Sequence, residues 1–221
     1  RINNFKQLLR FKKPILNPTR RRLSKAFTIY DLRLIAKRRT PIGPFDYTDG
    51  AADQEISLDR ARRAFEDIEF QPRILRDVSS ADLSTNLFDR KMKIPLGIAP
   101  TGFTRMMQTE GEIAGVTTAF KYGAPFCLST MGTTSIEAVA SSAPDASKWF
   151  QLYLWRDRER SLALIERAEA AGFDGLVLTV DAQVAGARLR DLRNGLTVPP
   201  SLTLKTLINA APRTAWWWNF L

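Results

Sequence analysis

From about residue 94 the chain alternates short apolar runs with amphipathic stretches, and this rhythm restricts the fold more than any other feature. "IPLGIAP" (94–100), "PFCLST" (125–130), "WFQLYLW" (149–155) and "DGLVLTVDA" (174–182) read as strands. Helical segments lie between them: 109–123, closing on a glycine; 134–142, with a Thr134…Glu137 capping box; and 158–172, again with a glycine stop. Four apolar strands separated by short helices predict β/α units and a parallel sheet.

The polar residues of these strands gather at one end. Pro100-Thr101-Gly102, Ser129-Thr130, Gln151 with Tyr153, and Thr179 with Asp181 all fall at or just past the C-terminal ends. An amide or phenol on an otherwise apolar strand costs free energy unless something satisfies it. In β/α barrels and open doubly wound sheets, that end of the strands is where ligands bind. A strand-end Ser or Thr taken singly is usually a local cap, but four consecutive polar ends predict a shared ligand site.

The segment before residue 94 reads differently. Residues 1–25 form a basic arm expected to be irregular, because Pro14 and Pro18 interrupt any helix. The body follows over 26–221. A helix capped by Thr28, with Asp31 reciprocating, presents Ile29, Leu32 and Ile35/Ala36 on one face until Pro41–Pro44 ends it. A second helix over Ser57–Glu66 is expected to bury Leu58, Ala61 and Phe65. Beyond Asp181 come a loop, a proline pair at 199–200, a helix from Ser201, and Trp216-Trp217-Trp218. Three indoles with no obvious partner suggest an interrupted fold.

Charge and composition narrow the chemistry. The net charge is +10, yet residues 1–39 alone carry 13 Lys and Arg against one acid, so the remainder is slightly acidic. Such an arm suits an anionic membrane surface, a nucleic acid or plain solvent; the lack of interleaved aromatics makes nucleic acid the poorest fit. The single cysteine, Cys127, excludes an intrachain disulfide and fits a reducing, cytoplasmic setting, with peripheral contact at the inner membrane the alternative. No run of 18 apolar residues appears. The sequence contains no histidine, which removes the commonest general base, and no acid or thiol cluster has metal-ligand spacing, so no metal is expected.

Six segments in order, "FDYTDGAADQE", "IAPTGFTRMMQTEGE", "LST", "KWFQLYLWRDR", "LTVDAQVAGARLRD" and "PPSLTLKT", resemble the FMN-dependent α-hydroxy-acid dehydrogenase/oxidase family, bacterial L-lactate dehydrogenases above all. The resemblance covers only the first half of that family's domain. It implies a (β/α)8 TIM barrel, here with about four β/α units after N-terminal helices, FMN as cofactor, a small 2-hydroxy acid as substrate, and a homotetramer. It further implies that Pro100, Thr101 and Gly102 pass the flavin ring and that Ser129, Gln151 and Thr179 bond its pyrimidine edge. Tyr47 and Tyr153 would line the substrate pocket, Arg188 would approach the substrate carboxylate, and Asp181 would support the catalytic histidine. The family's histidine, carboxylate-binding arginine, N1-facing lysine and phosphate site belong to later segments that have no counterpart among these residues. Three readings therefore stand: half of a flavin-dependent hydroxy-acid oxidoreductase, a non-catalytic remnant, or a binding fragment acting through its basic arm.

Overall fold

Three strands form the centre of the computed structural model, which describes residues 14–181, 184–196 and 204–220. They are β3 (Phe126–Ser129), β4 (Lys148–Tyr153) and β5 (Gly175–Thr179), all parallel, in the order β3-β4-β5. Register is fixed at Ser129↔Gln151 and Tyr153↔Thr179, so the polar strand ends line up side by side. The first expected strand is reduced to a parallel bridge between Ile98 and Phe126. There the Ile98 N–H donates to the Pro125 carbonyl and the Ile98 carbonyl accepts from Cys127, each at 2.9 Å. Proline and glycine at Pro95, Gly97 and Pro100 account for the loss of regular pairing. The expected β/α alternation is present, but the described residues form a partial sheet and no closed barrel.

Helices α5 (Gly111–Tyr122), α6 (Ile136–Ser142) and α7 (Arg158–Ala170) connect and cover these strands. Val116, Ala119, Leu128, Val139, Phe150, Leu152 and Ala168 make one buried cluster between helices and sheet. At about 25 cal/mol per Å² of apolar surface, this cluster is the main source of stability. Gly123 ends α5 at φ +67°, a backbone conformation that costs a side-chain-bearing residue energy. Helix α6 is capped by Ser135, whose oxygen accepts from the Ala138 N–H, not by Thr134 as expected. The Thr134 hydroxyl instead donates to Glu112 at 2.7 Å, because a buried carboxylate is the stronger acceptor. At the start of β4, Lys148 is buried and donates to the carbonyls of Ala143, Pro144 and Ala146 at 2.7–3.0 Å. Burial lowers its pKa.

Before the sheet lie α1 (Pro18–Leu23), α2 (Ile29–Arg39), α3 (Ile42–Asp49) and α4 (Ile56–Glu66). Pro18 starts α1 instead of breaking a helix: at the first position its missing N–H has no partner to lose, and Asn17 caps the end. The Thr28–Asp31 capping box of α2 is present. Its apolar face is only partly covered, since Ile29 and Leu32 are exposed while Ile35 and Ala36 are half-buried. The Pro41–Pro44 stretch ends α2 but also opens α3, which the sequence reading passed over. In α4, Leu58 is half-buried, but Ala61 and Phe65 are exposed, contrary to the expected burial. A hairpin of β1 (Thr85–Leu87) and β2 (Arg90–Met92) turns through Phe88 and Asp89, both at positive φ; it too was not expected.

Helices α8 (Leu189–Asn194), α9 (Leu204–Ala210) and α10 (Thr214–Phe220) complete the described chain. The proline pair and the expected helix start at Ser201 lie outside the described residues, as does most of the basic arm. Two of the three indoles find partners: Trp216 donates to the Met106 carbonyl and Trp217 to that of Ala210, while Trp218 stays exposed.

Candidate functional site

The site begins with an amide. Gln151 is buried on β4, and its Oε1 accepts from the Ser129 hydroxyl at 3.2 Å and the Thr130 N–H at 3.1 Å. Its Nε2 donates to the Thr179 hydroxyl at 2.7 Å. Parallel register produces this chain of contacts: Ser129 lies opposite Gln151, and Thr179, opposite Tyr153 two positions further on, is reached by the Gln151 amide. The polar residues on an apolar strand are thus satisfied by one another. An amide carries two hydrogens and two acceptor lone pairs, and these contacts occupy both lone pairs and one hydrogen. Among the described residues the second Nε2 hydrogen and the Thr179 hydroxyl hydrogen have no acceptor, which fits a ligand whose edge offers acceptors.

Thr130 extends the row. Its hydroxyl donates to the Gln151 carbonyl at 2.5 Å and accepts from the Tyr153 N–H at 3.1 Å, so it fixes the last turn of β4. Nothing in the sequence distinguished it from Ser129. Alongside, the Phe103 N–H donates to the Met131 carbonyl at 3.0 Å. This tie sets the Pro100–Gly102 segment, with Pro100 and Thr101 exposed, at the same end of the sheet. A Cβ on Gly102 would come within 2.9 Å of Met131 Cβ, so the close approach requires glycine. Below this loop Glu112 is buried and accepts from the Thr133 N–H at 2.7 Å, the Thr133 hydroxyl and the Thr134 hydroxyl. Burial penalises its charge, but these hydrogen bonds outweigh the penalty and hold its carboxyl below the usual range.

Tyr47, on α3, approaches from the N-terminal helices. Its ring meets Phe103 edge-on at 5.7 Å, and the Arg188 guanidinium lies 4.8 Å from its centroid. Burial raises the Tyr47 pKa; the Asp191 and Tyr153 charges add to the rise while Arg188 opposes it. Arg188 donates Nε to Asp191 at 2.5 Å and Nη2 to the Tyr47 carbonyl. The guanidinium is thus held in place by the chain, with a further contact from Nη2 to the Gly50 carbonyl at 3.4 Å, and the side chain is 34% exposed. Asp191, a buried partner missed in the sequence, leaves Oδ1 without a hydrogen-bond partner among the described residues. Asp181 stands apart: it is exposed two residues beyond β5.

A clasp secures this arrangement. Asp49 of α3 accepts from Arg33 Nη2 at 2.8 Å and from Arg190 Nη1 at 3.1 Å, and Arg190 also reaches Glu55 and Asp46. The Arg33 hydrogen bonds, more than any other cause, hold the Asp49 carboxyl below its usual pKa. A cavity of about 930 Å³ opens beside Phe103, lined by Ile42, Met106, Leu196, Ile208 and Trp216 among others. Ser129, Gln151 and Thr179 do not line it, so donor chemistry and not volume marks the site.

The sequence profile of the FMN-dependent dehydrogenases matches residues 36–221. A Mycobacterium tuberculosis relative, provisionally named an L-lactate dehydrogenase, is 53% identical over the entire chain, which covers 53% of that protein. An L-lactate oxidase of Nostoc is 41% identical over 188 residues, 84% of this chain and 52% of the oxidase. Among solved structures, the monotopic membrane protein (S)-mandelate dehydrogenase superposes with a TM-score of 0.83 at 34% identity, over 89% of this chain and 52% of that one. The chain spans about half the length of the relatives it matches. Their fold is the (β/α)8 barrel and the family's cofactor is FMN, in keeping with the strand-end row. By the extent of the profile match and by the fold, the chain belongs to the FMN-dependent dehydrogenase family.

Proposed function

We propose that this chain supplies the flavin-edge and substrate-facing part of an enzyme that oxidises an L-2-hydroxy acid, lactate in the first instance, to the 2-oxo acid. The observation that carries the reading is the hydrogen-bonded row of Ser129, Gln151 and Thr179, in which Gln151 and Thr179 each keep a donor hydrogen among the described residues, together with the Arg188–Tyr47 pair. Bound FMN supplies a two-electron acceptor for the hydrogen leaving the substrate carbon. Gln151 and Thr179 would hold the pyrimidine edge, and the Pro100–Gly102 backbone would flank the ring. Tyr153 and Tyr47 hold the hydroxy acid through their phenols, and the partly exposed Arg188 side chain attracts its carboxylate. Asp181 orients a general base, which has to come from outside these residues because the sequence contains no histidine. The relatives' names favour lactate.

Residues 1–221 joined to the remaining part of the Mycobacterium relative should bind flavin and reduce a dye when lactate is added. A colourless, inactive product from a folded chimera overturns the reading. Residues 1–221 alone should bind FMN weakly and should not turn over; submicromolar affinity in a fluorescence-quenching titration would contradict that. Among the described residues no helix is long and apolar enough to cross a membrane. The basic stretch up to Arg39 favours peripheral contact with anionic lipid, which salt should reverse.

A further inference from the structure

We propose that Glu112 and Thr133 are positioning residues for the flavin, which fix the gap between the loop after the first strand and the turn after β3. The inference rests on the proposed flavin reading, in which both segments lie against the cofactor. Glu112 is buried in the first turn of α5. Its Oε1 accepts from the Thr133 N–H at 2.7 Å and the Thr133 hydroxyl at 2.9 Å, and its Oε2 accepts from the Thr134 hydroxyl at 2.7 Å. The Thr133 oxygen in turn accepts from the Arg105 N–H at 3.1 Å, in the short turn that follows Pro100–Gly102. Two residues before Thr133, the Met131 carbonyl accepts from the Phe103 N–H, and the Met131 N–H donates to the Ser129 hydroxyl oxygen at 3.1 Å. The Gly132 N–H closes the turn on the Ser129 carbonyl at 2.8 Å. One carboxylate thus holds the turn that carries Ser129 and, through Thr133, the loop that carries Gly102.

Clearance between these segments is small. A Cβ on Gly102 would stand 2.9 Å from Met131 Cβ, and one on Gly132 would stand 2.9 Å from the Ser129 carbonyl oxygen and 3.6 Å from Glu112 Oε1. A shift at Thr133 is therefore passed to Met131, and from there to Ser129 and Gly102 alike. A carboxylate accepts all three hydrogens without bringing one of its own, whereas an amide would turn two hydrogens toward donors already in place. The partners here are neutral, two hydroxyls and one backbone N–H. A buried charge held by neutral donors is a costly way to join two loops, and folding alone does not call for it.

The test uses the chimera with the Mycobacterium relative, prepared as apoprotein and titrated with FMN. Glu112→Gln and Thr133→Val should each weaken FMN binding by about tenfold and alter the visible circular dichroism of the bound flavin. Thr133→Ser, which keeps the hydroxyl, should restore both. Val139→Ala opens a gap in the buried cluster instead, and should lower the urea midpoint while leaving FMN affinity and the flavin spectrum as in the parent. Either of the first two variants, folded and with the parent's affinity and spectrum, overturns the proposal. A Val139→Ala variant that loses flavin equally also overturns it, because the effect is then one of stability, as does a Thr133→Ser variant that behaves like the valine one. If Glu112→Gln does not fold, the Thr133 pair decides. A folded parent chimera that binds no FMN overturns the flavin reading itself and this inference with it, so the two failures are told apart.

Discussion

Gln151 and Tyr153 share a strand, point to the same side of the sheet and do different work. Gln151 is buried, and in the proposed reading its second amide hydrogen would meet the flavin edge; Tyr153 is half-buried two residues further on, where the same reading has it meet substrate. In the chimera with the Mycobacterium relative, Gln151→Leu should weaken flavin binding by about 1–3 kcal/mol, because it leaves buried donors and acceptors unpaired. Tyr153→Phe should keep flavin and lower turnover or substrate affinity. Flavin content and steady-state kinetics of both variants separate the roles, and a reversed pattern would reject the assignment. At this scale the sequence was legible wherever chemistry follows strand alternation, as at Ser129, Gln151 and Thr179. It was silent on Glu112 and Asp191, since an acid on a helix looks solvated until its distant partners are known. Arg188 was singled out by resemblance, and its tie to Asp191 was not foreseen.

The elements that could be read were those with local punctuation. Helix α2 begins where the Thr28–Asp31 pair says it should, because both partners of a capping box lie within one turn. Thr28→Ala should cost about 1 kcal/mol of stability in urea unfolding, and more if α2 is docked than if it frays. Helix α3 escaped notice because prolines in its first turn look like breakers, although a helix tolerates proline there. The strand at 94–100 was over-read for the opposite reason. Its apolar content suits a strand, yet two prolines remove backbone donors and a glycine weakens the extended run between them, and among the described residues only Ile98 pairs. Expected burial also failed for Phe65 of α4, because periodicity identifies an apolar face and not the surface that covers it.

Across the whole molecule, ion pairs tie the N-terminal helices to the post-sheet segment through Asp46, Asp49, Glu55 and Arg190. Asp49 has a lowered pKa, so its contribution is complete above the ordinary aspartate value of about 3.9 and disappears as pH falls through the lower folded value. Protection of the α8 amides, expressed relative to their intrinsic exchange rates at each pH, should therefore fall in acid, while Asp49→Asn should already lack it at neutral pH and show less further change. An α8 equally protected in acid and at neutral pH would reject the clasp. None of this was legible beforehand, because Asp49 and Arg190 lie 141 positions apart and neither stands in a motif that points to the other. That separation also has a consequence during synthesis. At roughly 5–20 residues per second, Asp49 leaves the ribosome about 7–28 s before Arg190 does. Through that interval Arg33, only 16 positions away, is the partner already at hand. The nascent chain thus carries a provisional counter-ion that keeps the acid engaged until its second cation is made.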